Sequence, residues 1–139
     1  MNLSIPVLII CLVASTSFAA DSVTSAAKTT ITTKSGLQYT SLQEGTGAAP
    51  GPDDTVRVNY RGTLLNGREF DSSYKSGRPA EFRLTSVIKC WTEGLQLMKV
   101  GGKAELYCPS NLAYGEEGIT GSVPRYAALT FEVELLSIK

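Results

Sequence analysis

Residues Thr55–Leu65 read TVRVNYRGTLL. Val56, Val58 and Tyr60 alternate with Arg57, Asn59 and Arg61, a period of two that belongs to a half-buried antiparallel strand. Asn66–Gly67 follows at once, a strong hairpin signal, so REFDSS reads as the returning strand. Upstream, LQYTSLQEG is a plausible first strand, closed by glycine-rich sequence and the turn cluster APGPDD. Downstream, AEFRLT follows a Gly-Arg-Pro turn and KAELYCPS follows a glycine pair. The chain closes on ALTFEVELLSI, with Leu129, Phe131, Val133 and Leu135 set against Thr130, Glu132 and Glu134. Trp91, Leu95 and Met98 are spaced i, i+4, i+7 and run into KVGG, which predicts a helix of two or three turns. The expected fold is α+β: a curved antiparallel sheet of about five strands wrapped around one short helix, the sheet face being the only large apolar surface that helix can cover.

The 139 residues suit one domain. MNLSIPVLIICLVASTSFAADS carries an apolar run from Ile5 to Ala14 and small residues before Ala19. It predicts a signal peptide over 1–19, too short for a membrane span, although no Lys or Arg marks its start. Cys11 lacks a lipoprotein context. Residues 20–35, rich in Ser, Thr and Ala, are expected to be a flexible lead-in, and 36–139 the folded domain. With no long amphipathic helix ahead of that domain, a monomer is expected. The 13 Lys and Arg balance the 13 Asp and Glu, all beyond the apolar leader. A neutral surface offers no footprint for nucleic acid or an anionic membrane.

The chain has no histidine. That excludes Ser-His-Asp and Cys-His nucleophilic sites and His-based zinc centres. Cys90 and Cys108 are too few for structural zinc and are not spaced as a redox pair. No metal and no cofactor is expected. Several residues fit simple core filling poorly. Phe70-Asp71 sets a carboxylate behind an aromatic at a strand end. Tyr60 turns its ring to the core, so its hydroxyl needs a partner. NLAYGEEGITGSVP, opened by Tyr114, is a long loop for a compact domain, and long ordered loops are commonly functional. Trp91, the only tryptophan, reads by itself first as core filling.

Three ordered blocks, VNYRGTLLNGREFDSS, VIKCWTEGLQLMKVGGKAELYCPSNLAYG and LTFEVELL, together resemble the FKBP family of peptidyl-prolyl cis-trans isomerases, nearest its exported bacterial, macrophage-infectivity-potentiator-like members. The likeness covers about Gly36 to Lys139. It implies a pocket at Tyr60, Phe70, Asp71, Val87, Ile88, Trp91, Tyr114 and Phe131, flanked by Ile119 and Val123, with Trp91 as its floor. Asp71, Tyr60, Tyr114 and Phe131 are the implied catalytic set. The Ile88 N–H and the Tyr114 hydroxyl are implied to hold carbonyls, and Asp71 to face the twisting one. Simpler readings stay open: Val87 and Ile88 as strand-end core, Asp71 as a cap of the Ser72-Ser73 turn, Tyr114 as an anchor for its loop.

The chemistry suits these residue types. Rotation about a peptide bond costs about 18–20 kcal/mol because amide conjugation is broken, and X-Pro exchange takes about 10–100 s unaided. No bond to another atom forms, so neither nucleophile nor strong base is needed. The twisted amide is less polar than the planar one, and a dry aromatic pocket favours it. A millionfold acceleration needs about 8 kcal/mol of differential stabilisation.

The sequence departs from the family pattern at Cys90, commonly glycine, and at Ser76, Ala80 and Ile119, which alter the rim. In an oxidising compartment Cys90 and Cys108 are candidates for a disulfide, with two buried thiols as the alternative. The resemblance implies proline-containing unfolded or exported polypeptides as partners, macrolide immunosuppressant-type ligands, and the periplasm as compartment, a secreted or eukaryotic secretory route being the alternative. A chaperone module that uses the same groove with little turnover is the competing function.

Overall fold

The structure, a computed structural model, describes residues 29–139. The expected signal peptide and the first part of the lead-in lie outside the described residues. Among the described residues seven strands form one antiparallel sheet: β1 (Thr30–Thr32), β2 (Gln38–Gln43), β3 (Thr55–Leu64), β4 (Glu69–Ser72), β5 (Ala80–Arg83), β6 (Lys103–Cys108) and β7 (Leu129–Ile138). Their order is β1-β2-β6-β7-β3-β4, with β5 also paired to β3. Among the described residues two α-helices accompany them, the single turn α1 (Ser73–Ser76) and α2 (Lys89–Leu95), with short 3-10 turns at Leu84–Ser86 and Ser110–Leu112.

The strand beyond those expected is β1, which lies inside the anticipated lead-in. It pairs residue for residue with β2, Thr30 opposite Thr40 and Thr32 opposite Gln38, and the two threonine hydroxyls meet at 2.7 Å. Gly36, at φ +100°, makes the intervening turn, a backbone state that glycine adopts without penalty. Hydrophobic patterning gives no sign of β1 because the strand buries nothing: Ile31 is 45 % exposed. Main-chain pairing holds it.

The inner face of the sheet follows the alternation. Val56 and Val58 from β3, Ala104 and Leu106 from β6, and Leu129, Val133 and Leu135 from β7 are all fully buried, while Arg57, Arg61, Glu105 and Glu132 face water. Along β3 and β7 the register shifts between Arg57 and Val58, so Leu136 is an extra residue and Ile138 returns opposite Val56.

Helix α2 lies against this face. Its Cys90, Trp91, Gly94 and Leu95 are buried, and Met98 just beyond its end is buried too. Gly94 lets the helix approach β6 closely, since a Cβ there would stand 2.9 Å from both methyls of Leu106. Cys90 and Cys108 are joined as a disulfide between α2 and β6, with Cα atoms 5.7 Å apart. Helix α1 is too short for periodicity to reveal. Ser72 Oγ accepts the Tyr74 N–H at 3.0 Å at its start, and Gly77, at φ +75°, donates its N–H to the Tyr74 carbonyl at its end.

Candidate functional site

Two irregularities beside β3 shape the site. β7 runs along one edge of β3 for its whole length, but the other edge is shared: β5 pairs with Thr55–Val58 and β4 with Arg61–Thr63. Within β4 the register shifts, Asp71 standing opposite Gly62 and Glu69 opposite Thr63. Phe70 is therefore a bulged residue, and a bulge re-aims side chains that strict alternation would send to opposite faces. Gly62 makes room for the result. A Cβ there would lie 2.8 Å from both the Phe70 and Phe131 rings.

The cavity formed at this end of the sheet has a volume of about 220 Å³ and is lined by Tyr60, Asp71, Phe82, Ser86, Val87, Ile88, Trp91, Tyr114 and Phe131. Trp91, near the start of α2, is 4 % exposed and forms its floor. Three rings meet the indole edge-on, with centroids 5.1 Å (Tyr60), 5.2 Å (Phe82) and 5.4 Å (Phe131) away. Each such edge-to-face contact contributes about 0.5–1.5 kcal/mol beyond burial. Trp91 Nε1 is buried with no acceptor among the described residues, so rings rather than a polar anchor fix the indole.

Polar groups are few and sit at the rim. Tyr60 donates its hydroxyl to Asp71 Oδ2 at 2.7 Å, and Asp71 Oδ1 accepts the Ser72 N–H at 2.9 Å. Asp71 thus serves the turn and the pocket together. Burial first, then the hydrogen bond to Asp71 and its charge, hold the Tyr60 phenol far above its ordinary pKa. Burial and the Asp71 charge raise that of Tyr114. Both hydroxyls therefore remain donors at neutral pH. The Tyr114 hydroxyl makes no hydrogen bond within the described residues, and the Ile88 N–H, just ahead of α2, has no acceptor there. Among the described residues, no three His, Cys, Asp or Glu side chains are grouped as a metal would require.

Seven of the ten residues singled out from the sequence line this cavity: Tyr60, Asp71, Val87, Ile88, Trp91, Tyr114 and Phe131. Phe70 stands behind the wall, its ring edge-on to Phe131 at 5.6 Å. Ile119 and Val123 line a separate shallow groove together with Arg68 and Arg125. They pair with each other across their loop, Val123 buried and Ile119 facing outward. Phe82 and Ser86 are lining residues that the sequence reading passed over. The signal for Phe82 was present: in AEFRLT it alternates with Glu81 and Arg83, and it stands opposite Val56 on the inner face. Ser86 lies in a turn of 3-10 helix and carries no such signal.

An antiparallel sheet lies over one short helix, with an aromatic cavity at the helix start. The chain belongs to the FKBP-type peptidyl-prolyl cis-trans isomerase family, whose model matches residues 46–136. It is 55 % identical over 107 residues to the FKBP-type peptidyl-prolyl cis-trans isomerase FkpA of Aeromonas hydrophila, covering 77 % of this chain and 40 % of that protein. It is 53 % identical over 108 residues to the peptidyl-prolyl cis-trans isomerase Mip of Coxiella burnetii, covering 78 % of this chain and 47 % of that one. The chain thus spans less than half the length of these relatives. Among solved structures, FkpA from Escherichia coli superposes with a TM-score of 0.76 at 49 % identity, over 79 % of this chain and 51 % of that one. AtFKBP13 superposes at 0.73 and 33 % identity, over 80 % of this chain and 99 % of that one.

Proposed function

We propose that the protein is a peptidyl-prolyl cis-trans isomerase acting on exported polypeptides. The observation that carries this reading is the aromatic cavity whose single carboxylate, Asp71, lies at the rim in the grip of the Tyr60 hydroxyl. A proline ring fits between the Trp91 floor and the walls formed by Tyr60, Phe82, Val87 and Phe131. The Ile88 N–H and the Tyr114 hydroxyl, both without hydrogen-bond partners among the described residues, hold substrate carbonyls on either side of the bond. The polar planar amide prefers water, so a dry site favours the twisted amide selectively, and selective stabilisation is what lowers a barrier. Asp71 faces the twisting carbonyl while Tyr60 holds it in place. No covalent step is involved.

The finer assignments follow from this reading. A signal peptide over 1–19 delivers a monomeric domain to the periplasm. Its clients are unfolded proline-containing chains, and a macrolide that presents a ring of proline size competes for the cavity.

The direct test is NMR exchange on a short Phe-Pro or Leu-Pro peptide, with and without catalytic amounts of the protein. Accelerated cis/trans exchange, suppressed by a pocket-filling macrolide, is the expected result. Exchange at the uncatalysed rate with folded protein would overturn the isomerase reading and leave a groove that only binds.

A further inference from the structure

Between β5 and β4 the ladder on β3 is interrupted. β5 releases the strand after Val58 and β4 takes it up at Arg61, so among the described residues no strand lies beside Asn59 and Tyr60 on that edge. A buried main-chain N–H without an acceptor is costly, and the fold meets the cost with a side chain. Ser73, 3 % exposed at the first position of α1, accepts the Tyr60 N–H on its Oγ at 2.9 Å. The same hydroxyl has two acceptors for its one proton, the Tyr60 carbonyl oxygen and Asn59 Oδ1, each at 3.4 Å. Asn59 is held in turn by its Nδ2 donating to Glu134 Oε1 at 3.3 Å.

Two residues before Ser73, Asp71 receives the Tyr60 hydroxyl at 2.7 Å. Both ends of Tyr60, main chain and phenol, are therefore held by the one tripeptide Asp71-Ser72-Ser73. We propose that Ser73 is a positioning residue for the isomerase reaction. Its hydroxyl stands in for the missing strand residue and fixes Tyr60 in register with Asp71 at the cavity wall. This rests on the isomerase reading above. Ser73 does not line the aromatic cavity itself and acts through Tyr60. Alanine at 73 keeps the fold's volume but frees the Tyr60 backbone, and small misplacements of a positioned group carry large kinetic costs.

The experiment measures kcat and KM separately by NMR exchange on the full chain for wild type, S73A, S73T, Y60F and the double variant Y60F/S73A, with amide hydrogen exchange read at Tyr60. The expected result for S73A is a fall in kcat of about 5- to 30-fold with KM within about twofold. Y60F also slows kcat, and the double variant is no slower than Y60F alone, because both changes remove one alignment. S73T, which keeps the hydroxyl, restores kcat. The Tyr60 amide exchanges slowly in the wild type and much faster in S73A. A folded S73A with wild-type kcat overturns the proposal, as does a double variant whose losses multiply. Should S73A fail to fold, a Tyr60 amide in the wild type exchanging like an exposed one overturns it, and so does a folded S73T as slow as Y60F. Y60F at the wild-type kcat defeats the positioning role while leaving the isomerase intact. An inactive wild type with a protected Tyr60 amide defeats the isomerase reading itself, and the role in reaction with it.

Discussion

Breaking the Cys90–Cys108 bond is expected to cost the fold about 3 kcal/mol. The cysteines are 18 positions apart, and the chain-entropy expression −2.1 − 1.5R ln n cal/mol/K gives about 3.2 kcal/mol at 25 °C for a loop of that span. Packing changes add little, because both sulfurs are fully buried and a reduced thiol is itself a small hydrophobe. With an unfolding entropy of about 2.1 cal/mol/K per residue over roughly 110 folded residues, that loss lowers the melting midpoint by about 14 °C. The assay is urea unfolding followed by Trp91 fluorescence, on oxidised protein and on protein unfolded in reductant, refolded and kept reduced. Reduction also frees the unfolded chain to expand, so the denaturant slope should rise along with the fall in stability. A stability difference below about 1 kcal/mol would refute the entropic reasoning. Free thiols at both Cys90 and Cys108 in denatured, unreduced protein would refute the bond itself.

Three further outcomes are expected. Gly62→Ala drives a Cβ into the Phe70 and Phe131 rings, and overpacking of this kind costs about 1–3 kcal/mol; a thermal midpoint equal to wild type would show that the rings can yield. Phe82→Ala removes edge contacts to Tyr60 and Trp91 at 5.6 and 5.2 Å, each contributing about 0.5–1.5 kcal/mol, so both stability and binding of a proline peptide should weaken, and unchanged peptide affinity by titration would remove Phe82 from the site. Burial and Asp71 raise the Tyr60 phenol above its ordinary value of 10.0, so the folded state favours the neutral phenol. The stability this gives is complete below the unfolded value of about 10 and is lost as pH climbs from there toward the folded one; urea midpoints measured upward from pH 9 should fall more steeply in wild type than in Tyr60→Phe, and equal slopes would contradict the assignment.

Much of the molecule was legible along the chain, and the reason is local. A strand that buries one face must alternate, so β3 and β7 declare themselves in TVRVNYRGTLL and LTFEVELLSI, and a helix two turns long still repeats its apolar residues at Trp91 and Leu95. Several ordered blocks then brought Tyr60, Asp71, Trp91, Tyr114 and Phe131 forward together. What stayed hidden has no periodic sign. β1 pairs through its main chain and buries no apolar side chain. The turn α1 spans only four residues, too few for an apolar position to recur. The bulge at Phe70 is a matter of which residue opposes Gly62, and no single strand records its partner.

The alternation of side chains by itself determined that this chain forms a sheet with one apolar face, and which residues lie on it, because each strand carries its own period. Only the tertiary structure decided that Phe82 completes the cavity wall while Ile119 and Val123 line a separate groove, and that Ser73 occupies the gap beside Tyr60. Those relations are set by register and by loop path across segments distant in sequence. They exist only once the strands have paired.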